Sequence, residues 1–147
     1  MARPEASGLK KVSRLHIYTD AAARGNPGPA AVSYSIYDEA GNIVESDAKR
    51  IESATNNVAE YQALVWALER ASTHTDNDAI FYSDSELMVN QIRGDYRVRN
   101  EKLGLLFDKV VKLRGRFKYT TFLHRPREDP RISLEDDKVN AVLDGKW

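Results

Sequence analysis

Cysteine is absent from the 147 residues, which excludes disulfides and thiolate metal sites. No apolar run is long enough to span a bilayer, and Met1 to Val12 is too polar for a secretory leader. These absences predict a cytoplasmic protein with no membrane partner. Net charge is absent as well, because 22 Lys and Arg balance 22 Asp and Glu. That balance conceals a segregation. Residues 38–92 carry 11 acidic and 3 basic residues, net −8, whereas 93–131 carry 12 basic and 5 acidic, net +7. Adjacent blocks of opposite sign suit either a solvated surface or a carboxylate site beside a phosphate-binding surface. No repeat or low-complexity tract interrupts the chain, so the reading is a loose arm over 1–13 and a single domain over 14–147.

What is present begins with LHIYTDAAARGNPGP, from Leu15 to Pro29. Leu15, Ile17 and Thr19 alternate with His16, Tyr18 and Asp20 as in a strand, and Gly-Asn-Pro-Gly-Pro ends it in a turn. Asp20 is thereby predicted at the carboxyl end of a strand, the edge where ligands bind in open α/β sheets. Val32, Tyr34 and Ile36 mark a second strand, and Ile43 to Ile51 returns antiparallel after the Ala40-Gly41-Asn42 turn. Val58, Tyr61, Leu64, Val65 and Leu68 recur at helical spacing, with Asn57 as N-cap and Glu60 completing a capping box. A short strand over 79–83 leads into Asp84 and a helix that Gly94 stops. A further helix spans Asn100 to Arg114, Phe117 to Leu123 alternates as a fifth strand, and Ser133 caps a last helix with Asp136 in its first turn. The intervening helix predicts that the fourth strand runs parallel to the first.

Asp20, Glu60, Asp84 and Asp136 each have an ordinary role open to them, as turn former or helix cap. Gathered at one sheet edge they would repel one another, and a cation resolves that repulsion. All-oxygen ligation suits Mg²⁺ or Mn²⁺.

The motifs behind these residues resemble type 1 ribonuclease H. YTDAAARGNPGPA is similar to its Thr-Asp-Gly-Ser-x-x-Gly-Asn-Pro-Gly strand, and TNNVAEYQAL to its Thr-Asn-Asn-x-x-Glu helix. YSDSELMVNQIRGDY resembles Asp-Ser-x-x-x-Val in the archaeal and related bacterial form, and EDDKVNAVLD the final Ala-Asp-x-Leu-Ala-Asn helix. The resemblance implies an α/β, ribonuclease H-like fold with a mixed five-stranded sheet and helices on both faces. It implies an endonuclease that hydrolyses the RNA strand of RNA–DNA hybrids with two divalent ions, leaving 5′-phosphate and 3′-OH ends. Asp20, Glu60, Asp84 and Asp136 match the metal-binding carboxylates. Asn56 and Asn57 match the asparagines that read the minor groove, where amides can bond the 2′-OH. The lysine-rich protrusion of some members is missing, and Arg97 and Arg99 are read as partial substitutes that bind phosphate. Departures are Ala21-Ala22 for Gly-Ser, Glu86 for a substrate-contacting Gln, Lys138 for a leucine, and a spacing before Asp136 about two residues longer than usual. The chain is read as a monomer. A nuclease-dead hybrid-binding module, and a nuclease of relaxed specificity acting on double-stranded RNA, are the alternatives.

Overall fold

Strand β1 (Arg14–Ala23) is the centre of the sheet, and its two faces show why it can be. Leu15 and Ile17 are fully buried beneath one helical layer, while Tyr18 packs on the other side among Tyr37 and Tyr82. In this computed structural model, which describes residues 14–147, β1 pairs antiparallel with β2 (Gly28–Tyr37), and β2 with β3 (Ile43–Ala54). On its other edge β1 pairs parallel with β4 (Asp78–Ser83), which pairs parallel with β5 (Tyr119–His124). The order β3-β2-β1-β4-β5 is the mixed five-stranded sheet expected. The predicted arm over 1–13 lies outside the described residues. Glycine is required at the first residue of β2, where a Cβ on Gly28 would meet the Arg24 carbonyl oxygen at 2.1 Å.

Helices cover both faces. α1 (Asn56–Ala71) buries Val58, Tyr61, Leu64 and Leu68 against the sheet; α2 (Glu86–Ile92) and α3 (Glu101–Arg114) complete that layer with Met88, Ile92, Leu103, Val110 and Leu113. Among the described residues α4 (Pro130–Leu143) is the one helix on the other face. It rests at its start on Ile132, among Tyr18, Tyr37 and Tyr82, and at its end on Val139, Val142 and Leu143, against Ala31 and Ala48.

Two predicted helix starts are corrected, and the capping role open to Asp84 falls to its neighbour. Thr55, not Asn57, caps α1: its backbone is extended (φ −76°, ψ 163°) and its hydroxyl accepts from the Val58 N–H at 3.2 Å. Ser85 caps α2, accepting from Met88 N–H at 3.3 Å. Asp129 caps α4, accepting from Arg131 and Ile132, and Pro130 takes the first helical position, where its missing N–H costs nothing. For α1 and α4 an oxygen upstream of the expected residue, and for α2 the one just after Asp84, reaches the free N–H groups. α4 therefore begins before Ser133, and the longer spacing ahead of Asp136 includes helix. Glu60, Asp84 and Asp136 are all released from capping.

Candidate active site

Asp20 does not end its strand, as the sequence suggested: β1 continues to Ala23 against β2, with Asp20 opposite Ser33. What ends there is the parallel ladder to β4, whose last pair is Tyr18 with Tyr82. The two strands part, and the opening holds Asp20 together with Asp84, one residue beyond the end of β4. Glu60 enters from the second turn of α1. One carboxylate oxygen from each of Asp20, Glu60 and Asp84 lies within 4.8 Å of the others. Asp20 is only 3% exposed, and Glu60 Oε1 is buried with no hydrogen-bond partner. The cation beside them, Arg127, holds its Nε 3.9 Å from Asp84 Oδ2 on a side chain that is 76% exposed. It screens Asp84 weakly.

Such crowding makes ionisation costly. Burial first, and then the Asp84 charge, push the Asp20 carboxyl up to about 8. Burial raises Glu60 well above the usual carboxylate range, with Asp20 and Asp84 adding to it. Asp84 is raised by burial too, although Arg127 opposes the shift. A divalent cation reverses this logic, since it favours the charged forms. An orphaned buried carboxylate oxygen in an all-oxygen donor set therefore fits a hard divalent ion.

Asp136 borders the same cleft, which has a volume of about 510 Å³, and its charge helps to raise Asp20 and Asp84. It stands outside the tight trio. Asn140, one turn on, donates from Nδ2 to the Asp136 carbonyl at 3.0 Å and to its Oδ1 at 3.3 Å. Asp137 is exposed, because successive helical residues diverge by about 100°. The two are separable by substitution. Asp136→Asn is expected to weaken Mn²⁺ binding roughly tenfold or more, and Asp137→Asn by less than about twofold, as read by calorimetry. Loss at Asp137 alone would reverse the assignment.

The exposed Asn56 and Asn57 line the mouth of this cleft, and the Asn56 N–H donates to Asn26 Oδ1 at 2.9 Å, tying α1 to the β1–β2 turn. Arg97 is not brought to it: it lines a separate cleft with Tyr96, Glu101 and Phe107, and Arg99 is exposed on the same loop. Glu135 escaped sequence reasoning. It is fully buried on α4, with Lys138 Nζ 2.9 Å from its Oε1. The available signal was a charge at the helical spacing of Ile132, Val139 and Val142, the apolar stripe of α4.

Residues 18–133 match the family described as reverse transcriptase-like. Ribonuclease HI of Halobacterium salinarum is 38% identical over 131 residues, covering 89% of this chain and 65% of that protein. A bifunctional protein of Mycobacterium tuberculosis is 32% identical over 132 residues, covering 89% of this chain and 36% of that one. The chain thus spans less than two thirds of these relatives' length. Among solved structures, RNase H1 of H. salinarum superposes with a TM-score of 0.84 at 35% identity, covering 90% of this chain and 99% of that one. LC11-RNase H1, solved in complex with an RNA/DNA hybrid, gives 0.84 at 38% identity, covering 89% and 97%. The order of the strands, the acidic trio at the parting of β1 and β4, and these likenesses agree: the chain belongs to the reverse transcriptase-like family and, within it, to the type 1 ribonucleases H.

Proposed function

We propose that this protein is a metal-dependent endoribonuclease that hydrolyses the RNA strand of RNA–DNA hybrids. The observation that carries the reading is the crowded trio of buried Asp20 and half-buried Glu60 and Asp84, whose ionisation is unfavourable without a cation. Its likeness to LC11-RNase H1, solved with a hybrid bound, supports the choice of substrate. Asp20, Glu60, Asp84 and Asp136 would hold two Mg²⁺ or Mn²⁺ ions. When bound, such ions activate water and neutralise charge on the leaving oxygen of an in-line displacement. The end of the β1–β4 ladder holds Asp20 and Asp84, and the second turn of α1 holds Glu60, so three of the four carboxylates are in place before substrate arrives and little reorganisation is needed. Asn56 and Asn57 are assigned to the 2′-OH of the RNA strand, the group that separates RNA from DNA. Arg97 and Arg99 are assigned to backbone phosphates farther along the duplex, where contacts position without reading sequence.

The test uses end-labelled RNA–DNA hybrid, RNA duplex and DNA duplex, each with Mg²⁺, Mn²⁺ or EDTA. Expected are cleavage of RNA in the hybrid, products with 5′-phosphate and 3′-OH ends, and no cleavage in EDTA. Cyclic 2′,3′-phosphate ends, or full activity in EDTA, would exclude the metal-assisted displacement. Equal cleavage of RNA duplex would widen the substrate class.

A further inference from the structure

α4 carries Asp136, yet the turn of helix around that residue has no apolar anchor. The Ile132 cluster lies one turn before it and the Val139, Val142 and Leu143 cluster follows it. Between them the helix meets the sheet through charge. Glu135, fully buried, accepts from the Ser35 hydroxyl at 2.5 Å through Oε2, and its carbonyl accepts from the Ser33 hydroxyl at 3.2 Å. Lys138 Nζ lies 2.9 Å from Glu135 Oε1 and donates to the Tyr34 carbonyl at 2.8 Å, to Ser35 Oγ at 2.9 Å and to Ser46 Oγ at 2.7 Å. One ion pair thus grips both β2 and β3. In the motif that this helix resembles, the two positions are alanine and leucine, so the charges come as a pair where an apolar pair would serve.

We propose that Glu135 and Lys138 are positioning residues, a buried ion pair that sets the rotation and depth of α4 on the sheet so that Asp136 faces the cleft. Neither touches substrate. Their effect follows from sequence adjacency: with Glu135 held against Ser35, the next residue turns about 100° towards the opening of β1 and β4. Directional hydrogen bonds to three serines and a backbone carbonyl fix that rotation more narrowly than an apolar contact, which tolerates sliding.

The inference rests on Asp136 serving as a ligand, as in the nuclease reading, so its test reads metal binding as well as cleavage. Lys138→Leu alone leaves a buried carboxylate unpaired and is expected to destabilise the fold severely. The informative variant is Glu135→Ala with Lys138→Leu, which removes both charges and restores an apolar contact, a replacement that buried ion pairs often tolerate. The intact chain and this double variant are compared by Mn²⁺ calorimetry, thermal melting, and kcat and KM on hybrid. The expected result is a double variant that melts close to the parent, binds Mn²⁺ about tenfold more weakly, and has a kcat about tenfold lower with KM for hybrid unchanged, the scale for groups that orient a ligand. Adding Asp136→Asn should then cost the double variant little more. A double variant that binds Mn²⁺ within twofold of the parent, whether it melts higher or lower, overturns the proposal and makes the pair purely structural. Should the double variant not fold, Ser35→Ala with Ser46→Ala loosens the same grip, and Mn²⁺ binding within twofold of the parent overturns the proposal there as well. A parent that binds Mn²⁺ but cuts no duplex removes the nuclease reading and leaves the calorimetric comparison to decide the pair.

Discussion

Asp20→Asn should lower the rate of RNA cleavage by at least about 10²-fold and, in the absence of metal, raise the melting temperature. The first effect follows from the place of Asp20 at the centre of the trio, since even groups that merely orient a metal ligand cost 10- to 100-fold. The second follows from its burial. At 3% exposure its carboxylate has little water, faces Asp84, Asp136 and Glu135, and is pushed up to about 8. Asparagine has nearly the same shape and keeps an oxygen for the Ala21 N–H, but brings no charge to repel. A gain of about 1 kcal/mol would shift the melting temperature by roughly 3–4 °C in a domain of this size. kcat at saturating hybrid and Mn²⁺, with melting followed by circular dichroism in EDTA, checks both. Loss of cleavage together with a lower melting temperature would show that Asp20 acts through packing instead. Asp84→Asn is expected to behave alike but with a smaller stabilisation, because Arg127 already offsets part of its charge.

Without metal, stability should peak near pH 4–5 and fall steadily towards pH 8. Asp20 carries a folded pKa of about 8 against an unfolded value of about 3.9, so the folded state keeps a proton that the unfolded state has released. Its contribution is complete below pH 4 and lost as pH rises through 8. Glu60 and Asp84, both raised, act in the same direction. On the acid side the sign reverses. Glu45 on β3 is held down to about 2, chiefly by Arg70 on α1, whose Nε and Nη2 donate to it at 2.6 and 2.9 Å. Its contribution is complete above pH 4.5 and lost as pH falls through 2. Millimolar Mn²⁺ should flatten the alkaline limb, since a ligand at 100 times its dissociation constant adds about 2.7 kcal/mol. Melting temperatures from pH 3 to 9, with EDTA and with Mn²⁺, test this. A metal-free protein whose stability is level from pH 5 to 8, or rises, would mean that the carboxylates are better solvated than their burial indicates.

Local patterns in the sequence determined most of the architecture. Alternation at Leu15 to Asp20 and at Val32 to Ile36, and helical spacing at Val58 to Leu68, each specify an element from neighbours alone, because burial of one face selects the period. The four carboxylates were legible as candidates for a different reason: each sits in a motif that resembles one of type 1 ribonuclease H, in the same order along the chain. Helix starts were less legible, since Thr55 and Asn57, or Asp129 and Ser133, are equally good caps until the surrounding backbone chooses between them. What only the tertiary structure decided lies across chain separations that no local pattern encodes. Asp20 meets Asp84 because β4 parts from β1 after Tyr82, not because β1 ends. Asp136, rather than its neighbour Asp137, borders the cleft because α4 has one rotation on the sheet. That rotation depends on Glu135 and Lys138 meeting Ser35 and Ser46, about ninety to a hundred residues upstream, and a charge that will be buried looks the same in sequence as one that will be solvated.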